Sequence, residues 1–488
     1  MVRRRCEHFR IRKFARRYDR KTGKFTFNIS YETKTDVTDR TVAVAEAFGL
    51  GISDFQKHVL YDNVELEIGP QDIVYLTGDS GSGKSVLLSA IVRDLNPQEA
   101  ARMSDVEVDP NKPLIDTVGC SVDEGLKLLS KVGLNDAFLF LRRYSQLSDG
   151  QKYRYRLAKL IESGAQWWIM DEFCATLDRE TAKIVAFNVQ KLARKFGKAV
   201  VAATTHTDLF EDLAPSVHIH KRFGKEISIK YYPNQLRKQC SLLKEMEVQE
   251  GSYEDWKKVA GFHYRSHRIA FMQKIFVLKR EDRVCGAVVY VHPMSAAPCR
   301  NSVLKIENMK ELNEKLTRIA RVVVHPKYRT IGAGVKLLHD SLPKCGKPYV
   351  EMIAVMARYN PFAEHAGMTR VCESKPDKSI LEAVAELEKL GFTSYLLAVP
   401  EYNKRMLKGR VPQVKAILSS FSYPYNRRIA GQHGRFTMED YRKWLAKAEK
   451  DDLARALRRL AQLNQSKVYL FWKTLNFQRK QKRVQDSS

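Results

Sequence analysis

The sequence predicts an α/β protein of two successive units closed by a helical segment, and three observations carry that expectation. Over residues 25–230, short apolar runs of strand length alternate with stretches of helical periodicity, the pattern of a largely parallel sheet. Strand-like runs resume at 271–278, 284–291, 317–324 and 349–356, which places a second α/β unit over 256–425. Beyond it, Thr437 and Asp440 stand at capping-box spacing, and Leu453, Leu457, Leu460 and Leu463 recur at helical intervals, so 426–488 reads as a helical, basic C-terminal region. The polar stretch 231–255, with Lys238, Lys244, Glu245 and Glu250, reads as the connection between the units. Residues 1–24 read as a basic N-terminal arm.

Composition narrows the class. At roughly 150 residues per domain, 488 residues make about three domains. A hydrophobic share of 44% excludes wholesale disorder. No run approaches the ~18 apolar residues of a bilayer span, and the start Met1-Val2-Arg3-Arg4-Arg5 has no apolar stretch behind it. A cytoplasmic protein without a membrane partner is therefore expected. The eight cysteines are scattered, without a Cys-x-x-Cys pair, so neither a zinc site nor a disulfide framework is expected. The formal charge is +28, and it is concentrated: eleven Lys and Arg lie within residues 1–24, and Arg479, Lys480, Lys482 and Arg483 crowd a tail that also carries Trp472 and Phe477. Such a surplus points to a polyanion, DNA or RNA, because phosphate backbones attract cations and release counterions.

The strongest local signal follows the apolar run Val74-Tyr75-Leu76-Thr77. Gly78-Asp79-Ser80-Gly81-Ser82-Gly83-Lys84-Ser85 fits G-x-x-x-x-G-K-[ST] and leads into a helical stretch. Gly78, Ser80, Gly81 and Gly83 shape a loop whose N–H groups can wrap phosphate, Lys84 can reach the β/γ oxygens of ATP, and Ser85 can hold Mg²⁺. Downstream, Trp167-Trp168-Ile169-Met170 ends in Asp171, suited to supporting Mg²⁺ through water, and Glu172, suited to polarising the attacking water. Leu147-Ser148-Asp149-Gly150-Gln151 precedes that strand, Ala175-Thr176-Leu177-Asp178 follows it, and His206 stands just beyond the strand 199–203.

This ordered series resembles the ABC-type ATPases over roughly residues 40–220, with Asp149 the only change in the Leu-Ser-Gly-Gly-Gln signature. The resemblance implies a homodimer with an ATP-sandwich interface, in which Ser148, Gly150 and Gln151 of one chain close over ATP held by the other and His206 senses the γ-phosphate. About sixty residues separate Ser85 from Leu147, a short insertion for a transporter, with Gln98 the visible glutamine-loop residue. Phe55 is an expected adenine-stacking ring.

In the second unit, the strand 317–324, which includes Val323, runs into His325-Pro326-Lys327-Tyr328 and then Arg329-Thr330-Ile331-Gly332-Ala333-Gly334. An Arg-x-x-Gly-x-Gly turn between strand and helix exposes consecutive N–H groups, as a pyrophosphate requires. With the downstream Asn360-Pro361-Phe362-Ala363-Glu364-His365-Ala366-Gly367, it resembles the GNAT acyltransferases over roughly 255–400. The resemblance implies that Val323, Arg329, Ile331, Gly332, Ala333 and Gly334 hold acetyl-CoA or another acyl-CoA, with splayed strands receiving the pantetheine arm. Where many family members carry an acidic tyrosine this chain has Ala363; Tyr359 and His365 are nearby substitutes. Phe262-His263-Tyr264-Arg265-Ser266-His267 resembles the His-Tyr-Ser stretch of the Mom-like GNAT branch, whose members modify adenine in phage DNA, with Arg265 interrupting the match. His263 and Tyr264 are the catalytic residues this implies, an imidazole being able to take a proton from an attacking amine.

These resemblances predict an ABC-type P-loop ATPase domain followed by a GNAT-like α/β acyltransferase domain and a helical C-terminal appendage. The function they imply is an ATP-hydrolysing, acyl-CoA-dependent N-acyltransferase acting on a base amine of DNA or RNA, the ATPase dimer positioning the substrate. The basic helix after the signature, with Lys152, Arg154, Arg156 and Lys159, would supply phosphate contacts. Two other readings stand beside it: acetylation of a protein or small-molecule amine, and a non-catalytic nucleic-acid clamp with a CoA-binding domain.

Overall fold

A computed structural model describes residues 9–19, 24–33, 37–49, 56–134, 136–263, 269, 271–432 and 434–474. The chain divides into two compact units: Met1–Arg268 with Ile275–Val288 and Val322–Leu337, and Ile269–Lys274 with Val289–Arg321 and Leu338–Ser488.

The first unit opens with a three-stranded antiparallel sheet of β1 (Phe9–Asp19), β2 (Lys24–Thr33) and β3 (Gln56–Glu67), in that order. Residues 9–19 are therefore a strand and not the arm expected from their charge. The charge density hid a period-two alternation, Phe9-Arg10-Ile11-Arg12, which is strand texture. Phe25, Phe27, Ile29, Tyr61, Val64 and Leu66 give this sheet its buried face.

Behind it stands the expected parallel sheet. Its strands are β4 (Ile73–Gly78), β5 (Ala100–Arg102), β6 (Trp167–Met170), β7 (Ala199–Ala203), β8 (Val217–Lys221) and β9 (Ile227–Tyr231). Their order is β5-β6-β7-β4-β8-β9, parallel throughout except for the antiparallel β8/β9 pair. β4, β6 and β7 are buried at every residue, which is why they read as unbroken apolar runs. Helices Lys84–Asp94, Asp149–Glu162 and Arg179–Phe196 join these strands. The stretch expected as a connection is structured, holding helix Ser241–Lys244 and β10 (Met246–Glu250), which pairs antiparallel with β11 (Met272–Arg280).

β12 (Arg283–Val291), β13 (Leu316–Val324), β14 (Tyr349–Ala354), β15 (Thr369–Ser374) and β16 (Lys467–Lys473) complete a seven-stranded sheet ordered β10-β11-β12-β13-β14-β16-β15. Parallel pairing of β13 with β14 runs from Leu316↔Tyr349 to Ile319↔Met352 and stops, although β13 continues to Val324. β16 is antiparallel to both of its neighbours. The expected C-terminal appendage is thus an insertion: the helices from Lys378–Lys389 to Lys450–Leu463 form their own core, around Leu387, Leu418, Leu453, Leu457 and Leu460, between β15 and β16. Thr437 and Asp440 make the expected capping box. The second unit also contains a Cys299–Cys372 disulfide, against the expectation of scattered thiols; its partners lie 73 residues apart, a separation that carries no local signal. Among the described residues no helix is long and apolar enough to cross a membrane.

Candidate functional site

β4 delivers the glycine-rich loop. Gly78 has φ 143°, and a Cβ there would lie 1.9 Å from the Lys221 carbonyl oxygen, so no other residue fits. Gly81 and Gly83 also take left-handed φ, at 77° and 97°. The loop is braced from outside by groups with no sequence signature. The Tyr61 hydroxyl, on β3, donates to Gly83 O at 2.9 Å, and its ring lies under the ammonium of fully buried Lys221, which donates to Arg222 O at 2.6 Å.

Lys84 Nζ donates to Gly78 O at 2.8 Å and to Asp79 O at 2.6 Å, closing its side chain over the mouth of the loop. Burial lowers its pKa, opposed by Asp79 and Asp171. Ser85 Oγ donates to Asp171 Oδ1 at 3.3 Å, bringing a hydroxyl from the helix start and a carboxylate from the end of β6 to one point. Among the described residues no group of three or more His, Cys, Asp and Glu side chains could hold a metal. One hydroxyl and one carboxylate fit Mg²⁺, which keeps waters and takes phosphate oxygens. Asp171 Oδ1 also accepts from the Glu172 N–H at 3.0 Å, and Glu172 has φ 51° with its side chain exposed. A left-handed glutamate costs about 1–3 kcal/mol, and such strain concentrates at working sites.

Ser148 is the N-cap of helix Asp149–Glu162, and its N–H donates to Gln151 Oε1 at 3.1 Å. Ser148 is exposed at that helix start, while a Cβ added to Gly150 would lie 3.2 Å from Thr181 at the start of the next helix. His206 is half-buried, with its carbonyl accepting from the Tyr75 hydroxyl and its N–H donating to Thr204 Oγ1 at 3.3 Å. Gln98 is exposed, its N–H held by Asn96. Phe55 lies outside the described residues.

The expected phosphate-binding helix needs correction. Arg154 is buried and donates to Pro326 O at 3.2 Å and Lys327 O at 3.1 Å. Lys159 donates to Thr117 O at 2.9 Å and pairs with Glu162, and Lys152 faces Asp149 at 3.6 Å. Arg154 and Lys159 are spent inside the fold.

The second expected site is partly covered. Val323, Ile331 and Ala333 are buried, and Gly332 takes φ 93° ahead of helix Ala333–Ser341, on which Gly334 lies. Arg329 is turned inward: Nε donates to Val324 O at 3.2 Å and Nη2 lies 3.6 Å from Asp136, while burial lowers its pKa. Lys191 donates to Thr330 O at 2.7 Å, and a Cβ on Gly332 would meet Leu243 at 3.4 Å. The first N–H groups of a helix have no partner within it. The Arg329 guanidinium is already committed. Ala363 is fully buried. His263 is half-buried; Tyr264, with Arg265, Ser266 and His267, lies outside the described residues.

A protein-family model described as ABC transporter matches residues 61–117. The cytochrome c biogenesis ATP-binding export protein CcmA of Gluconobacter oxydans is 31% identical over 167 residues, covering 31% of this chain and 76% of that protein. The chain belongs to the ABC ATPase family. The CcmA protein of Vibrio parahaemolyticus is 27% identical over 190 residues, covering 32% of this chain and 89% of that protein. Among solved structures, a dimeric ATP-binding cassette bound to ADP and phosphate aligns at TM-score 0.31 and 19% identity, covering 36% of this chain and 92% of that one. The seven-stranded sheet and its helical insertion are further architecture added to this ABC ATPase domain.

Proposed function

We propose that this ABC ATPase works as an ATP-sandwich homodimer whose nucleotide cycle governs an acyl-CoA-dependent N-acyltransferase acting on a base amine of DNA or RNA. The observation that carries the ATPase half is the convergence of Lys84 on the loop carbonyls and of Ser85 on Asp171. With ATP bound, Lys84 would exchange those carbonyls for β/γ oxygens, Ser85 and Asp171 would hold Mg²⁺, and Glu172 would orient the attacking water. Ser148 and Gly150, at an exposed helix start, meet the γ-phosphate bound by the partner chain, with Gln151 securing the cap. His206 would sense the same phosphate.

The acyltransferase half is supported by two observations. β13 parts from β14 after Ile319 while its chain runs on to the turn 329–334. Thr330 and Gly332 in that turn take φ 76° and 93°, just before a helix start. Bound acyl-CoA would supply the activated thioester; the turn would hold its pyrophosphate, and His263 with Tyr264 would take the proton of the amine. An exocyclic base amine is a weak nucleophile, so a clamp that positions it supplies what the chemistry lacks.

Glu172→Gln should slow hydrolysis by more than tenfold, retain ATP and lock the dimer on size exclusion; a monomer with normal turnover would remove the ATPase reading. Incubation with acyl-CoA, ATP and DNA or tRNA, followed by nucleoside mass spectrometry, decides the second half. Modified nucleosides support it, adducts on protein alone redirect it to a protein amine, and no adduct leaves a non-catalytic clamp, the outcome buried Ala363 favours.

A further inference from the structure

The start of helix Arg179–Phe196 is held by side chains from two distant stretches of sequence, all in the same compact unit. Lys327 Nζ lies 2.8 Å from Asp178 Oδ1 and 2.6 Å from Glu180 Oε2. The Tyr328 hydroxyl donates to that Glu180 oxygen at 3.2 Å, and Arg280 pairs with the other one. Arg280 in turn donates from Nε to Glu245 Oε2 at 2.6 Å. Arg280, Glu180 and Lys327 are 18%, 24% and 27% exposed and form the sheltered side of the cluster, while Asp178, at 58%, stands on its open side. From the other side, Arg154 on the helix that begins at the signature grips the carbonyls of Pro326 and Lys327, and Lys191 holds that of Thr330.

The turn 326–330 is therefore anchored at both elements that flank hydrolysis. One anchor is Asp178, which closes the segment after Glu172 and caps its helix by accepting from the Thr181 N–H at 3.2 Å. The other is the signature helix, through Arg154. Asp178 and Glu180 are like charges two residues apart, and the Lys327 ammonium lets both remain ionised at one helix start. A relative movement of the two anchors has to be taken up by the turn that bridges them.

We propose that Lys327 is a positioning residue of the ATPase, holding Asp178 in register with the signature helix, and that through it the nucleotide state sets the conformation of residues 326–334. This rests on the reading of the cassette as a working ATPase and adds the device that passes its state onward.

The test uses the full chain. Lys327→Met should lower kcat for ATP about tenfold, equivalent to about 1.4 kcal/mol, with KM within about twofold, and Lys327→Arg should restore most of it. In a Glu172→Gln background, hydrogen exchange over 326–334 should differ between ATP and ADP, and Lys327→Met should abolish the difference. Should Lys327→Met fail to fold, Glu180→Gln serves instead: it should reduce both effects in part, and adding Lys327→Arg to it should restore neither. Unchanged kcat in a folded Lys327→Met, or nucleotide-dependent exchange that survives it, overturns the proposal. A wild-type chain indifferent to Lys84→Ala because it hydrolyses no ATP sinks the cassette reading, whereas active wild type with a nucleotide-insensitive turn sinks only the link.

Discussion

Asp178 shows how one side chain can serve stability and mechanism together. Burial alone would raise its pKa, but the Lys327 ammonium and the hydroxyl and N–H of Thr181 outweigh burial and bring it down to about 2. Glu180 is lowered in the same way, against burial, by Lys327 and Arg280. A carboxylate depressed in the folded state contributes stability that is fully present above its unfolded value, near 4, and is lost as pH falls through its folded value. The cluster should therefore weaken between about pH 4 and about pH 2, in step with protonation of Asp178. Urea midpoints for wild type and Lys327→Met, taken at about pH 5 and about pH 2.5, should differ less at the lower value; an equal difference at both would mean that Lys327 acts by packing alone. Gly78 makes the converse point, since its identity is dictated by a backbone neighbour and not by charge.

At the scale of elements, what was legible in the sequence was local. The glycine loop, β4, β6 and β7 announce themselves because a phosphate loop needs its glycines in sequence and a strand buried on both faces needs an apolar run. The capping box at Thr437 is equally local. What escaped reading depends on distant partners: Tyr61 under the loop, Arg154 on the Pro326 carbonyl, Lys327 on Asp178, and Cys299 with Cys372. β16 is the largest case. Lys467-Val468-Tyr469-Leu470-Phe471-Trp472-Lys473 pairs with β14 from Tyr349↔Lys473 to Ala354↔Val468, more than a hundred residues back, so nothing beside it in sequence reveals its place. Val468, Tyr469 and Leu470 are buried, and the Tyr469 hydroxyl donates at 3.0 Å to Glu351, which also receives Arg300. Ending the chain at residue 466 should leave β14 and β15 without their shared neighbour and Glu351 with Arg300 but without the Tyr469 hydroxyl. Limited proteolysis should then degrade 338–466 while sparing the cassette; a protease-resistant product would restore the view of the C-terminal region as an appendage.

For the whole molecule, the question is where the +28 charge surplus acts. Arg154, Arg280, Lys159 and Lys327 are committed to carbonyls and carboxylates within the first unit, so they are unavailable to a phosphate backbone. If DNA or RNA is the substrate, the attraction comes from other cations, and the basic ends of the sequence hold the densest group of them. Each phosphate contact contributes about −0.9 to the slope of log affinity against log salt for duplex DNA. Replacing Arg479, Lys480, Lys482 and Arg483 with Ala should therefore make the slope shallower by about 3 to 4 units and leave ATP turnover without nucleic acid unchanged. Lys159→Ala should leave the slope where it was. Fluorescence anisotropy across a salt series measures both, and a tail variant with the wild-type slope would place the contacts elsewhere. The contrast separates charge used to hold the ATPase together from charge offered to a partner, a distinction that net charge alone does not make.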